Sequence, residues 1–279
     1  MNLNKSLPLY EKDLGVLGFS KKLLAIFTGR LELPEIFGRI FDHETYYPWP
    51  PFFIPIVHPV HDNLMYGIVS HPPGLNRYSY FASLRLDSGA CMEIARTEDQ
   101  FYDRLAMEDV IATGEPPQLS TRVEIFLANT SNTLPDLFLD AAQKTGILSE
   151  ALLMLDSFKS NIPFDISAEM GVGYDGDFPS NVAKNSCLYE LNSMHDSTWK
   201  PSGLSGEPWL DKDIAGQNLW TVIDDLINNK YYDQAWLALS RPGIPVTQAR
   251  YFIKILKDRL NVPQMNSWIS ASENDNANY

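Results

Sequence analysis

The stretch from Phe52 to Leu105 leaves the chain less freedom than any other part of it. It carries apolar and aromatic runs at 52–57, 64–70, 78–86 and 91–95. His71-Pro72-Pro73-Gly74 and Asp87-Ser88-Gly89 separate the later runs. Runs of this length, rich in aromatic and β-branched residues and punctuated by turn formers, read as strands, and short breaks favour antiparallel hairpins. Pro55 has no amide hydrogen to give to a ladder, so its strand must lie at an edge or carry a bulge. Thr97-Glu98-Asp99-Gln100 follows the last run with the spacing of a capping box, and two acids in the first turn suit the helix dipole. The block therefore predicts an antiparallel sheet that feeds one capped helix, ended by Gly114, Pro116 and Pro117.

The flanks are less constrained. Residues 12–29 space Leu14, Leu17, Leu24 and Phe27 as a helix that Gly29 stops, and 34–41 reads as a short helix with proline in its first turn. Residues 123–128 fit strand or helix equally. Residues 136–145 and 149–159 form a helical pair joined at Gly146, with Ser149 as a cap, and 161–215 read as long loops. Helical spacing returns in Leu219, Val222, Ile223 and Leu226, then in 231–239 and 249–260. The fold class is α+β: an antiparallel sheet flanked by helices, with a mainly helical C-terminal extension. Three regions are expected: 1–130 with the sheet, 131–265 loop-rich and helical, and a flexible polar tail at 266–279.

Charge narrows the partners. A formal net charge of −13 over 279 residues repels phosphate backbones, so no nucleic-acid partner is expected. The same field speeds encounter with a basic protein. Two cysteines cannot build a disulfide framework, and the early apolar stretch 14–27 is interrupted by Ser20, Lys21 and Lys22. These features predict a cytoplasmic chain with no membrane partner.

Catalytic motifs are not assembled. His58-Pro59-Val60-His61-Asp62 offers metal-ligating side chains, but Pro59 prevents the helical pairing that such histidines use in metalloprotease motifs. Turn residues flanking strands account for them, so no metal is assigned, and a metal-dependent hydrolase using His58, His61 and Asp62 stands as the alternative. Gly171-Val172-Gly173-Tyr174-Asp175-Gly176 has the glycine spacing of a dinucleotide loop, yet Pro179 falls where the following helix would run. No cofactor is predicted. The acids and tyrosine of that segment, Tyr174, Asp175 and Asp177, together with the helix-start acids Glu98 and Asp99, are the candidate contacts to a basic partner.

Phe52-Phe53-Ile54-Pro55-Ile56, Tyr66-Gly67-Ile68 and Ile94-Ala95-Arg96-Thr97-Glu98-Asp99-Gln100-Phe101, preceded by Leu33-Pro34-Glu35, resemble the SUKH superfamily of bacterial toxin-immunity proteins and fungal Knr-type cell-wall regulators. The resemblance covers roughly residues 30–110. It implies a non-enzymatic immunity protein that binds and neutralises a cognate, basic toxin by direct contact; a regulatory scaffold like the fungal members is the further alternative. His58-Pro59-Val60-His61-Asp62 stands where the family has an acidic, glycine-rich tract, and the helical C-terminal half has no counterpart in the minimal family domain.

Overall fold

A computed structural model describes residues 7–40, 49, 51–60, 62–70, 79–86, 91–114, 116–131, 133–175, 217–239, 245–260, 262 and 264–273. Five strands form one antiparallel meander in sequence order: β1 (Phe37–Arg39), β2 (Phe53–Pro59), β3 (Leu64–Val69), β4 (Tyr80–Arg85) and β5 (Cys91–Ala95). The fold is α+β with a helical C-terminal part, as the sequence pattern predicts.

Pro55 lies in an interior strand and is accommodated by a bulge. Pairing runs Pro55↔Gly67 and then Val57↔Tyr66, with Ile56 as the extra residue. Gly67 is required there. A Cβ at this position would overlap the Ile54 carbonyl oxygen and stand 2.7 Å from Cζ of Phe53. The glycine thus permits the close approach of β2 and β3 that the bulge demands.

The helix after β5, α3 (Glu98–Ala112), is the hub of the molecule. Thr97 caps it by accepting from the Gln100 amide, while the Gln100 side-chain oxygen accepts from the Arg96 amide at 2.8 Å. Ten of its fifteen residues are buried, so it is surrounded rather than laid on a surface. Phe101 stacks on Phe81 of β4 with centroids 4.3 Å apart, and Tyr102 meets Phe126 edge-on. Around it stand α4 (Thr121–Thr130), α5 (Pro135–Thr145), α6 (Leu148–Leu153), a 3₁₀ turn (Asp156–Phe158) and α7 (Phe164–Met170).

Several expectations are corrected. The helix expected over 12–29 is two helices, α1 (Leu7–Val16) and α2 (Lys21–Phe27), because Gly18 takes a positive φ of 82° and Ser20 caps the second. The helix expected from residue 34 is not formed over 34–39; Phe37–Arg39 pairs with β2, and Asp109 of α3 accepts from the Ile36 amide at 2.9 Å. Residues 123–128 are helical. Ser149 does not cap α6, whose cap position is Ile147; its hydroxyl donates to Glu169 instead.

In the C-terminal part, α8 (Gln217–Asn228), α9 (Tyr232–Ala238) and α10 (Val246–Leu256) precede α11 (Met265–Ala271). The expected tail therefore starts later than residue 266. Met265, Trp268 and Ala271 are buried, α11 packs on α1, and Trp268 donates its indole N–H to the Trp49 carbonyl at 2.9 Å. The first and last helices of the described chain, α1 and α11, thus pack together. No helix among the described residues is long and apolar enough to cross a membrane.

Candidate functional site

The polar side chains of α3 do not share one treatment. Glu98 accepts from the Ser20 amide at 2.7 Å and from the hydroxyls of Ser20 and Tyr102, so it ties the start of α2 to α3. Arg104 bonds Glu108 at 2.7 Å and reaches Asp165 of α7, while Tyr66 of β3 donates to Glu108 at 3.0 Å. Asp109 holds the Ile36 amide. Gln100 donates to the carbonyls of Ser157, Ser160 and Asn161 at 2.9, 3.2 and 3.1 Å, which anchors the 3₁₀ turn and the chain beyond it.

Asp103 differs. It is 1% exposed, and its donors are three hydroxyls: Ser131 at 2.5 Å, Ser157 at 2.5 Å and Thr133 at 3.4 Å. No cationic side chain pairs with it among the described residues. Burial pushes its carboxyl above the usual carboxylate range, and the negative charge of Asp99, one helical turn away, pushes the same way. The hydroxyls of Ser131 and Ser157 hold it down in part.

Asp99 and Asp103 open onto a cavity of about 430 Å³ at the N-terminal end of α3. The link from α4 to α5 and the first turn of α5 form one wall, with Leu134 and Leu137; the end of α6 and the 3₁₀ turn form another, with Met154 and Asp156. Leu134, Leu137 and Met154 are 68%, 51% and 40% exposed. Three of the large apolar side chains that face solvent thus gather at one opening, beside carboxylates. Asp156 pairs with Lys159 at the surface, which leaves Asp99 and Asp103 without a counter-charge among the described residues. Such an opening offers apolar area and negative potential together, the requirements of a site for a long basic side chain.

The sequence-predicted contact residues fall in different settings. Asp99 is exposed and lines the cavity. Glu98 is engaged internally, as above. Tyr174 donates to Glu93 at 2.8 Å, meets Phe164 edge-on, and carries the Arg96 guanidinium over its ring at 4.5 Å. Asp175, although 71% exposed, pairs with Arg96 at 2.5 Å. These two residues fasten the chain after α7 to the junction of β5 and α3. Asp177 lies outside the described residues. So does His61; His58 sits in β2 with its Nδ1 3.2 Å from the Pro59 carbonyl, and Asp62 is on the turn beyond. Gly171 ends α7 in the left-handed conformation at φ 64°, a helix stop rather than a phosphate loop.

Among the described residues, no group of three or more His, Cys, Asp or Glu is placed to hold a metal. Asp103, Ser131 and Thr133 were not singled out from the sequence, because a polar position on a helix and two hydroxyls in a link carry no motif. No family model, no curated protein and no solved structure matches the chain.

Proposed function

We propose that the protein acts by binding another protein, as an immunity-type factor that neutralises a basic toxin by direct contact. The observation that carries this reading is the cavity at the head of α3, where Asp99 and buried Asp103 lack a counter-charge beside three exposed apolar side chains. A basic partner supplies what this opening lacks. The overall charge of −13 draws such a partner in at long range, and the apolar rim holds it once desolvated. The resemblance of 30–110 to the SUKH superfamily points to the same class of activity.

The test is affinity capture of the tagged chain from its native cells with a salt series, followed by co-expression with any toxin encoded beside it. A stoichiometric basic partner, released as salt rises, together with protection of the cells, is the expected result. Absence of both a captured partner and protection would refute the immunity reading.

A further inference from the structure

We infer that the cavity at the head of α3 receives a single arginine or lysine side chain of the partner, flanked by apolar residues that rest on Leu134, Leu137 and Met154. This deepens the binding reading and rests on it. Three observations converge. Asp103 is 1% exposed and bonded to hydroxyls, with no cationic side chain beside it among the described residues. Asp99 stands one turn away on the open side of the same helix and repels it, so a cation between the two relieves a repulsion already present. Leu134, Leu137 and Met154 line the same cavity and are exposed, which suits the methylene stem of a long basic side chain and the apolar neighbours on either side of it.

The hydroxyls explain why the occupant comes from outside. Ser131 and Thr133 belong to the α4–α5 link and Ser157 to the 3₁₀ turn; by converging on Asp103 they hold both walls of the cavity to α3. The opening is thus built before any partner arrives, which lowers the ordering cost of association.

The experiment uses the full chain with its methionine methyl groups labelled for NMR, the Met154 signal being assigned by Met154→Leu. The probe is a blocked peptide containing Leu-Arg-Leu, compared with the same peptide carrying citrulline in place of arginine. Citrulline keeps the shape and loses the charge. The Met154 methyl is expected to shift saturably at millimolar peptide, with binding about tenfold weaker for the citrulline peptide and for Asp99→Asn. Asp258→Asn, which removes the same charge from an exposed position in the C-terminal part, is expected to leave the affinity unchanged. Equal binding of the citrulline peptide, indifference to Asp99→Asn, or no saturable shift would each overturn the inference. The two readings fail separately. Peptide binding without any captured toxin leaves the cavity assignment standing and removes the immunity reading. A captured toxin whose affinity ignores Asp99→Asn does the reverse.

Discussion

Replacing Arg104 by methionine tests how the centre of the fold is held. The guanidinium serves two carboxylates at once, Glu108 on its own helix and Asp165 on α7, and it lies 3.4 Å from the Ile94 carbonyl. The side chains of Arg104, Glu108 and Asp165 are 9%, 12% and 19% exposed. Methionine keeps most of the apolar stem but leaves two buried carboxylates facing each other across the space the cation filled. Each hydrogen bond to a charged group is worth about 1.5–3 kcal/mol, and breaking one partner out of a buried ionic group costs about 3–5 kcal/mol. The partial exposure of Asp165 lets water replace some of the loss, so we expect about 4 kcal/mol at neutral pH and a fall in Tm of about 10 °C.

The pH dependence carries the diagnosis. Burial already raises the carboxyls of Glu108 and Asp165, and Arg104 is the strongest influence lowering them. Without it both rise further, so between the ordinary carboxylate range and the raised values the folded variant binds more protons than the unfolded chain. Stability then falls as pH rises through that window and is recovered on acidification. Urea unfolding at two pH values reads this directly: the deficit near pH 5 should be smaller than that near pH 7.5 by at least about 1 kcal/mol. Adding Glu108→Gln and Asp165→Asn should regain most of the loss. A deficit below about 1 kcal/mol that does not vary with pH would refute the assignment of Arg104 as the counter-charge of this cluster.

Three further outcomes are expected. Gly67→Ala should destabilise by about 3 kcal/mol in urea unfolding, and Phe53→Leu added to it should not rescue, because the nearest obstacle is the Ile54 carbonyl and not the ring; rescue would show the strand spacing to be adjustable. Burial lifts the Asp13 carboxyl on α1 to about 6, against a hydrogen bond from Ser267 of α11. A raised folded value means stability that is present below the ordinary aspartate range and lost as pH climbs through about 6. Asp13→Asn should therefore be more stable than the parent above pH 6, by up to about 2 kcal/mol, with the gap closing toward pH 4, which unfolding midpoints across that range would check. Gln100→Ala should cost about 2–3 kcal/mol and speed amide hydrogen exchange in residues 157–162, since one side chain satisfies the Arg96 amide and three carbonyls; unchanged exchange there would show that the 3₁₀ turn is held by other contacts.

How much of this was legible beforehand follows from how local each signal is. Strands β3, β4 and β5 and the start of α3 announce themselves through aromatic runs, turn residues and a capping threonine, all within reach of their own neighbours in sequence. That Pro55 calls for an edge or a bulge was legible for the same reason; which of the two depends on β1 pairing along the far side of β2. β1 was not: three residues carry no period, and what makes Phe37–Arg39 a strand is the far side of β2 and an aspartate on α3. The break between α1 and α2 turned on Gly18, a signal present in the sequence but outweighed there by the helical spacing on either side. Glu98 looked like a free helix-start acid because its donor, Ser20, is 78 residues away. Asp99, one position on, kept its exposure and lines the cavity.

The cavity itself had to be invisible in the sequence, and the reason bears on what it does. Its walls come from three separated parts of the chain, represented by Asp99 and Asp103, by Ser131, Thr133 and Leu134, and by Met154 and Ser157, and only the folded chain brings their hydroxyls to one carboxylate. The other inward-turned acids of α3 are held by different groups: Glu98 by Ser20 and Tyr102, Glu108 by Arg104 and Tyr66, and Asp109 by a backbone amide at one oxygen, its other oxygen having no hydrogen-bond partner among the described residues. An acid at position 103 draws Ser131, Thr133 and Ser157 to α3, at a burial cost that an apolar residue there would not carry. The hydroxyls reduce that cost without supplying a counter-charge, and Asp103 lines the cavity beside them. A buried carboxyl that lines an apolar-walled cavity, with no cationic side chain beside it among the described residues, is what a basic side chain of the proposed partner would pair with. That complementarity of charge and apolar surface is what supports the proposal of a basic partner.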